Sequence, residues 1–323
     1  MTARALAAWK LFSAPVSIGG RRYPPIALVV LAMIGLTFVF VVAQRSWAGS
    51  QDEHAYWLGA QRLLNGQPLY DPTATSVTPY AYWYPPPLAQ VLIPVAALLP
   101  SRAFDIGWIG LQLICLLWMA RWRPLVALAL VVYLPIAVEL SYSNVHLVLA
   151  ALIVLGLRRW PWAFAIGAAI KLAPGLGILY LLLRRRWRDA GIAIAVGLVI
   201  LVISVAIGPS AWSGFIATVQ ARGPGDISGL LPIPYFVRVI AAVVVTVMAG
   251  LVRPRLGEPL LVVAITIALP TLWLDAFATL VAILPLLAAG SRASAAETPG
   301  DGAGDGQRRS DTSAGIPVAT PGA

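Results

Sequence analysis

From Ile26 to Ala43 the chain carries no charged side chain, and a stretch of about 17 to 25 such residues is what a helix needs to cross a bilayer. Comparable apolar runs recur down the sequence, which a single water-soluble core does not require. Of the 323 residues, 59% are hydrophobic and 11% charged, against about 25% charged in an ordinary globular domain. With a mean hydropathy of +0.83, no soluble fold can hide that much apolar surface. The expectation is an all-α polytopic membrane protein. The lone cysteine, Cys115, lies inside an apolar run and has no partner for a disulfide, so its role is packing.

The order of runs sets the expected organisation. Residues 1–25, with Arg4, Lys10, Arg21 and Arg22, read as a cytoplasmic N-terminal tail. The run from 26 to 43 is longer than the 7 to 15 residues of a signal-peptide core and reads as a first membrane helix. Further runs fall at about 86–99, 103–120, 125–140, 147–157, 161–183, 190–207, 232–252, 259–271 and 273–289. They predict about ten transmembrane helices in one domain, 26–290. Residues 291–323 lack large apolar side chains and are expected to form a disordered cytoplasmic tail. With the N-terminus inside, fourteen Lys and Arg residues fall on the inner side, and seven fall outside: Arg45, Arg62, Arg121, Arg123, Arg158, Arg159 and Arg222. The excess favours this orientation. Four of the seven lie between residues 86 and 183, which leaves a half-helix or re-entrant pair as the competing assignment there.

The net charge of +10 is scattered between apolar runs rather than gathered into a stripe, and this excludes a nucleic-acid surface. Arg184, Arg185, Arg186 and Arg188 form the densest cluster, the mark of a cytoplasmic loop. There is no fixed-period repeat, no glycine-rich phosphate loop and no metal-ligand cluster. With only His54, His146 and one cysteine, a zinc site has too few ligands.

Polar chemistry concentrates in the first external loop, residues 44–85. Tyr56, Ala60, Leu63 and Leu64 recur at helical spacing there, opposite Asp52, Glu53 and Arg62. They predict a short interfacial helix ended by Gly66. Asp52 and Glu53 stand just past the first membrane helix. A carboxylate there either takes a proton from a hydroxyl or complements the helix dipole. Asp189 and Glu258 read as surface charges beside basic loops, and Asp105 and Glu139 as structurally paired groups near the inner face. Lys171 lies inside an apolar segment, where a lysine either faces a polar cavity or snorkels to an interface. Arg45, Arg62, Arg222 and Arg238 are the other candidate phosphate partners; Arg238 follows a second external loop, 208–231.

The succession Asp52, Tyr56, Leu63-Leu64-Asn65-Gly66, Leu69-Tyr70-Asp71 and Tyr84-Pro85-Pro86 resembles the first external loop of glycosyltransferase family 87, polyprenol-phosphate-mannose-dependent mannosyltransferases of the C superfamily. Ala168-Ala169-Ile170-Lys171-Leu172-Ala173-Pro174, followed by Leu181-Leu182-Leu183-Arg184-Arg185, is similar to that family's lysine-proline helix and its basic exit. The resemblance covers about residues 40–290. It implies that Asp52 is the catalytic base; beside it, Glu53, Tyr56, Arg62, Tyr84, Lys171, Arg238 and Asp275 make up the candidate substrate-binding set. The implied partners are a polyprenyl-phosphate-sugar donor, a lipid or glycan acceptor and membrane lipids. A lipid phosphate is already an activated leaving group, so a base and cations suffice without a metal or other cofactor.

The family's Gly-Gln-x-Asn pattern is replaced by Ser143-Asn144-Val145-His146, and its Ser-Trp-x-His-His pattern by Leu272-Trp273-Leu274-Asp275-Ala276. The latter lacks its histidines, and at 323 residues the chain is short for the family, with a late helix or two expected to be missing. The implied function is a multi-pass plasma-membrane hexosyltransferase, moving a hexose, mannose first, at the outer face with inversion. A small-solute or lipid transporter ranks second, for want of internal symmetry. A non-catalytic scaffold would show a dry outer cavity.

Overall fold

The computed structural model describes residues 16–18, 21–23, 25–48, 52–71, 73–74, 78–223, 227 and 229–288. The expected tail 291–323, most of residues 1–25, Asp226 and the side chain of Arg45 lie outside the described residues. Apart from a three-residue antiparallel pair, β1 (Val16–Ile18) and β2 (Arg21–Tyr23), in the segment read as a plain tail, the described chain is helical.

The elements are α1 (Pro25–Ala48), α2 (Asp52–Leu64), α3 (Pro86–Leu98), α4 (Ser101–Met119), α5 (Pro124–Val131), α6 (Leu134–Tyr142), α7 (His146–Arg158), α8 (Ala163–Ile170), a 3-10 turn (Ala173–Gly175), α9 (Leu176–Leu183), α10 (Trp187–Ile207), α11 (Pro209–Arg222), α12 (Tyr235–Leu251), α13 (Pro254–Ile267) and a C-terminal segment, Leu274–Ala288, that opens as a 3-10 helix. Among the described residues, α4 and α10 are each long and apolar enough to cross a membrane, and α5 with α6 makes a third span only if their 88° bend is counted as one broken crossing. On α10, Leu198, Val199, Val202 and Ile203 are all more than half exposed. An apolar surface of this kind is what lipid, rather than water, covers.

The described residues do not give the expected ten crossings, and two proline-marked segments account for much of the difference. α3 has 13 residues, about 20 Å at 1.5 Å each, short of a hydrocarbon core of about 30 Å. It lies antiparallel along α2 instead, with Gln61 donating to the Ala96 carbonyl and Trp57 to that of Leu99, the latter at 3.1 Å. The run 161–183 is not one helix either. Pro174 lacks an N–H and its ring clashes with the carbonyl four residues back, that of Ile170, so α8 stops there. α9 then returns antiparallel to α8: a Cβ on Gly167 would lie 2.8 Å from the Pro174 side chain, and one on Gly177 would lie 2.1 Å from the Phe164 ring. These glycines let the two legs of the hairpin touch.

Both feet of this hairpin lie at one end of the bundle. Arg186 donates to the Leu157 carbonyl at 3.3 Å, Arg184 to that of Val252 at 2.8 Å, and Arg158 pairs with Glu258 at 2.8 Å. Arg158 and Arg159 therefore share the end of Arg184 to Arg188 rather than facing it across the membrane. Glu258, expected as a solvated charge, is 9% exposed and paired. α4 starts beside α2, passes the α6–α7 turn at Trp108, whose indole donates to the Ser143 carbonyl at 2.9 Å, and continues past it. Arg121 and Arg123 thus lie toward the same basic end, and Arg102, read as inner, lies at the end of α2. Among the described residues, Arg121, Arg123, Arg158 and Arg159 thus gather toward the end that carries Arg184 to Arg188, the one-sided grouping that the positive-inside rule associates with a cytoplasmic face.

Candidate active site

The end of the bundle opposite Arg158 and Arg184 holds a cavity of about 610 Å³ whose polar wall includes Asp52, Tyr84, Asn144, Lys171 and Asp275, and whose apolar wall includes Leu172, Phe215, Val219, Leu230 and Trp273. Each polar residue is delivered by a local feature. Asp52 opens α2, the helix predicted from its spacing. Tyr56 and Ala60 on it are fully buried. The helix ends in a Schellman cap, with Gly66 at φ +68°, Gly66 N–H to the Leu63 carbonyl at 3.1 Å and Gln67 N–H to that of Arg62 at 2.8 Å. Lys171 sits at the break that Pro174 forces.

Asn144 follows Ser143, which takes the left-handed conformation (φ 52°, ψ 47°) at the C-cap of α6. A non-glycine residue there is strained, and the turn aims Asn144 into the cavity. Its side chain is the hub of the site. Nδ2 donates to Asp52 Oδ2 at 2.9 Å and to Asp275 Oδ2 at 3.0 Å. Oδ1 accepts from the Tyr84 hydroxyl at 2.9 Å, the Tyr56 hydroxyl at 3.2 Å and Lys171 Nζ at 3.3 Å. Two carboxylates, a lysine and two phenols are thereby tied to one amide. Asp52 at the head of α2 is pushed above the ordinary carboxylate range, by burial first and then by the negative charge of Asp275, while Lys171 pulls it back.

Of the expected binding residues, Tyr84, Lys171 and Asp275 line the cavity with Asp52, and Tyr56 stands directly behind Asn144. Glu53 is fully buried and is not a cavity wall. Arg62 turns back to the Leu69 carbonyl at 3.4 Å. Arg238 is also away from the cavity wall: it donates to the carbonyls of Leu269 and Pro270 at 2.8 and 2.7 Å, where the end of α13 leaves acceptors without helical partners. Arg222, from a segment expected to be a loop but folded as α11, does line the cavity, with its guanidinium 4.0 Å from the Trp83 ring centre.

Glu139, assigned from sequence to the inner face, is instead beside this site. His146 Nδ1 lies 2.8 Å from Glu139 Oε2 and 3.5 Å from Asp275 Oδ2. Spacing alone shows no metal-ligand cluster, yet Glu139, His146 and Asp275 each bring a potential ligand atom within 4.8 Å of the others. The Lys171 ammonium, 2.9 Å from His146 Nε2, already places a positive charge against this group. Asn144, His146 and Glu139 are the residues that sequence reasoning missed. The signal was the polar patch around residues 141–146 between two apolar runs.

A membrane bundle with an amphipathic cavity, a paired carboxylate and a buried lysine has the make-up of a membrane-embedded group-transfer enzyme. The chain belongs to glycosyltransferase family 87, whose sequence pattern matches residues 82–296. The loop bearing Asp52 precedes the matched stretch. The chain is also similar to a polyprenol-phosphate-mannose-dependent alpha-(1-2)-phosphatidylinositol mannoside mannosyltransferase of Mycobacterium tuberculosis, at 31% identity over 214 residues, covering 54% of this chain and 49% of the relative. It thus spans about half the length of that curated relative. No solved structure matches.

Proposed function

We propose that the protein transfers a hexose, mannose by similarity to its relative, from a polyprenyl-phosphate donor to a lipid or glycan acceptor at the outer face of the plasma membrane, with inversion at the anomeric carbon. The observation that carries this reading is that Asp52 and Lys171 face one cavity and are joined through the single amide of Asn144. A base and a phosphate-binding cation must reach the same bound substrate, and two side chains that share one amide partner on one cavity wall support that reading.

In this reading Asp52 takes the proton of the acceptor hydroxyl. The freed oxygen attacks the anomeric carbon from the face opposite the phosphate. The bond from that carbon to the phosphate oxygen breaks, and polyprenyl phosphate leaves with the electron pair, its charge met by Lys171 and Arg222. Asp275 accepts from sugar or acceptor hydroxyls. Leu172, Phe215, Val219 and Trp273 receive the first isoprene units. The decisive experiment is turnover by the purified protein in lipid nanodiscs of polyprenyl-phosphate-mannose, -glucose and -N-acetylglucosamine, with the anomeric configuration of the product read by NMR. Product from none of the three, or retention of configuration, would sink the reading.

Two further outcomes are expected. A cysteine placed at position 52, after replacing Cys115, should react with an impermeant reagent from outside the cell, and one at 186 only from the cytoplasm; the reverse would place the reaction on the wrong face. A base acts only when deprotonated. Because burial and Asp275 raise Asp52, kcat/KM should climb with pH to a limb at about 8 rather than near the ordinary aspartate value of about 4. A profile already flat from pH 5 upward would remove Asp52 from that role.

A further inference from the structure

Lys171 is held from behind by a chain of side chains that the transfer chemistry does not itself use. Its Nζ lies 2.9 Å from His146 Nε2 and 3.3 Å from Asn144 Oδ1, with the Tyr84 ring centre 5.1 Å away. His146 opens α7 and sets Nδ1 2.8 Å from Glu139 Oε2. The other oxygen of Glu139 accepts the backbone N–H groups of His146 and Leu147, at 2.7 and 3.3 Å, so the carboxylate is anchored on the first turn of the helix that carries the imidazole. Exposure is 0% for Glu139, 1% for His146 and 7% for Lys171.

Two backbone N–H groups donating to Glu139 Oε1 favour its ionised form. With Glu139 ionised this order sets one tautomer: the carboxylate only accepts, so the ring proton sits on Nδ1, Nε2 offers its lone pair, and the ammonium, which only donates, fills it. We propose that Glu139 and His146 are positioning residues that fix the Lys171 ammonium at the cavity wall for the phosphate of a lipid-phosphate donor. The inference rests on the transferase reading above.

Lysine is a compact charge on a flexible four-carbon stem, and unrestrained it samples several positions in a cavity of this size. Two of its three N–H groups are engaged by His146 and Asn144, which leaves one for an anion in the cavity that Lys171 lines. The imidazole matters because it is neutral. A carboxylate in direct contact would hold the lysine equally well but cancel the charge that attracts the phosphate, whereas the ring keeps Glu139 one residue removed.

Two substitutions separate this role from packing. Glutamine places a side-chain oxygen near where Nε2 stands and can still accept from Lys171; asparagine is too short to reach it. With farnesyl monophosphate as probe, binding to the nanodisc-embedded protein should weaken about 10- to 100-fold in His146→Asn, the range of one charge-assisted hydrogen bond, and recover most of the way in His146→Gln. With the turnover substrate, kcat/KM should fall by at least the same factor in His146→Asn, because Lys171 also meets the charge on the leaving phosphate, and should recover in His146→Gln. Histidines are two in this chain, His54 and His146, so nitrogen-15 labelling of histidine resolves each ring, and His146 should show the Nδ1–H form.

Equal weakening in both variants, unchanged binding in His146→Asn, or an Nε2–H ring at His146 would each overturn the positioning role, provided that the wild type binds the probe and Lys171→Met does not. If the wild type itself fails to bind, the transferase reading and the inference fall together.

Discussion

Asp52→Asn is expected to lower kcat by about 10² to 10⁴, the range for losing a general base, while the protein still inserts, folds and binds farnesyl monophosphate. The exchange is nearly isosteric. Its retained carbonyl oxygen can still accept from Asn144 Nδ2, which lies 2.9 Å from the present carboxylate. What disappears is the capacity to take a proton. Glu53→Gln serves as the neighbouring control. Successive residues on a helix point about 100° apart, and Glu53 is buried away from the cavity wall, so its rate should hardly move. Full activity in Asp52→Asn would show that the acceptor loses its proton elsewhere, with Asp275 the next carboxylate to test.

Asn144→Asp should have an effect as large, for a different reason. It swaps the amide nitrogen that lies 2.9 Å from Asp52 and 3.0 Å from Asp275 for a carboxylate oxygen. Three carboxylates in mutual contact cannot all ionise near neutrality, and protons shared among them silence the base. The expected loss at pH 7 is about 10² or more, with partial recovery as the pH is raised, because deprotonation restores the form that works. Thermal unfolding should shift down as well, since the site loses a buried donor. A variant with normal rate at pH 7 would mean that Asn144 does not organise Asp52.

Much of this site was legible in the sequence because its members sit on strong local signals. Asp52 precedes a helical spacing that a glycine closes, Lys171 is a charge in an apolar run, and Asp275 falls beside a tryptophan near the C-terminal end of the bundle. Asn144, His146 and Glu139 were hidden because the topology was misjudged. With Arg158 and Arg159 counted outside, Glu139 fell at the inner face, far from Asp52. Hydropathy cannot tell a straight crossing from two short helices folded back on each other. The proline at 174 and four misplaced arginines were the clues that it had failed. Arg238 and Arg62 illustrate a second blind spot: a cation near a loop end is as readily taken up by orphan carbonyls as by a ligand, and sequence does not reveal which carbonyls are orphaned.

The α8–α9 hairpin enters and leaves the bundle at the same end, so it adds nothing to the parity of the chain's path through the membrane. The orientation of every later helix is handed on unchanged from α7, whichever way the hairpin is packed. Retention of its flanking arginines on one side is then enough to set the side from which the later helices start. It also means that the hairpin's length can vary between relatives without inverting the rest of the protein.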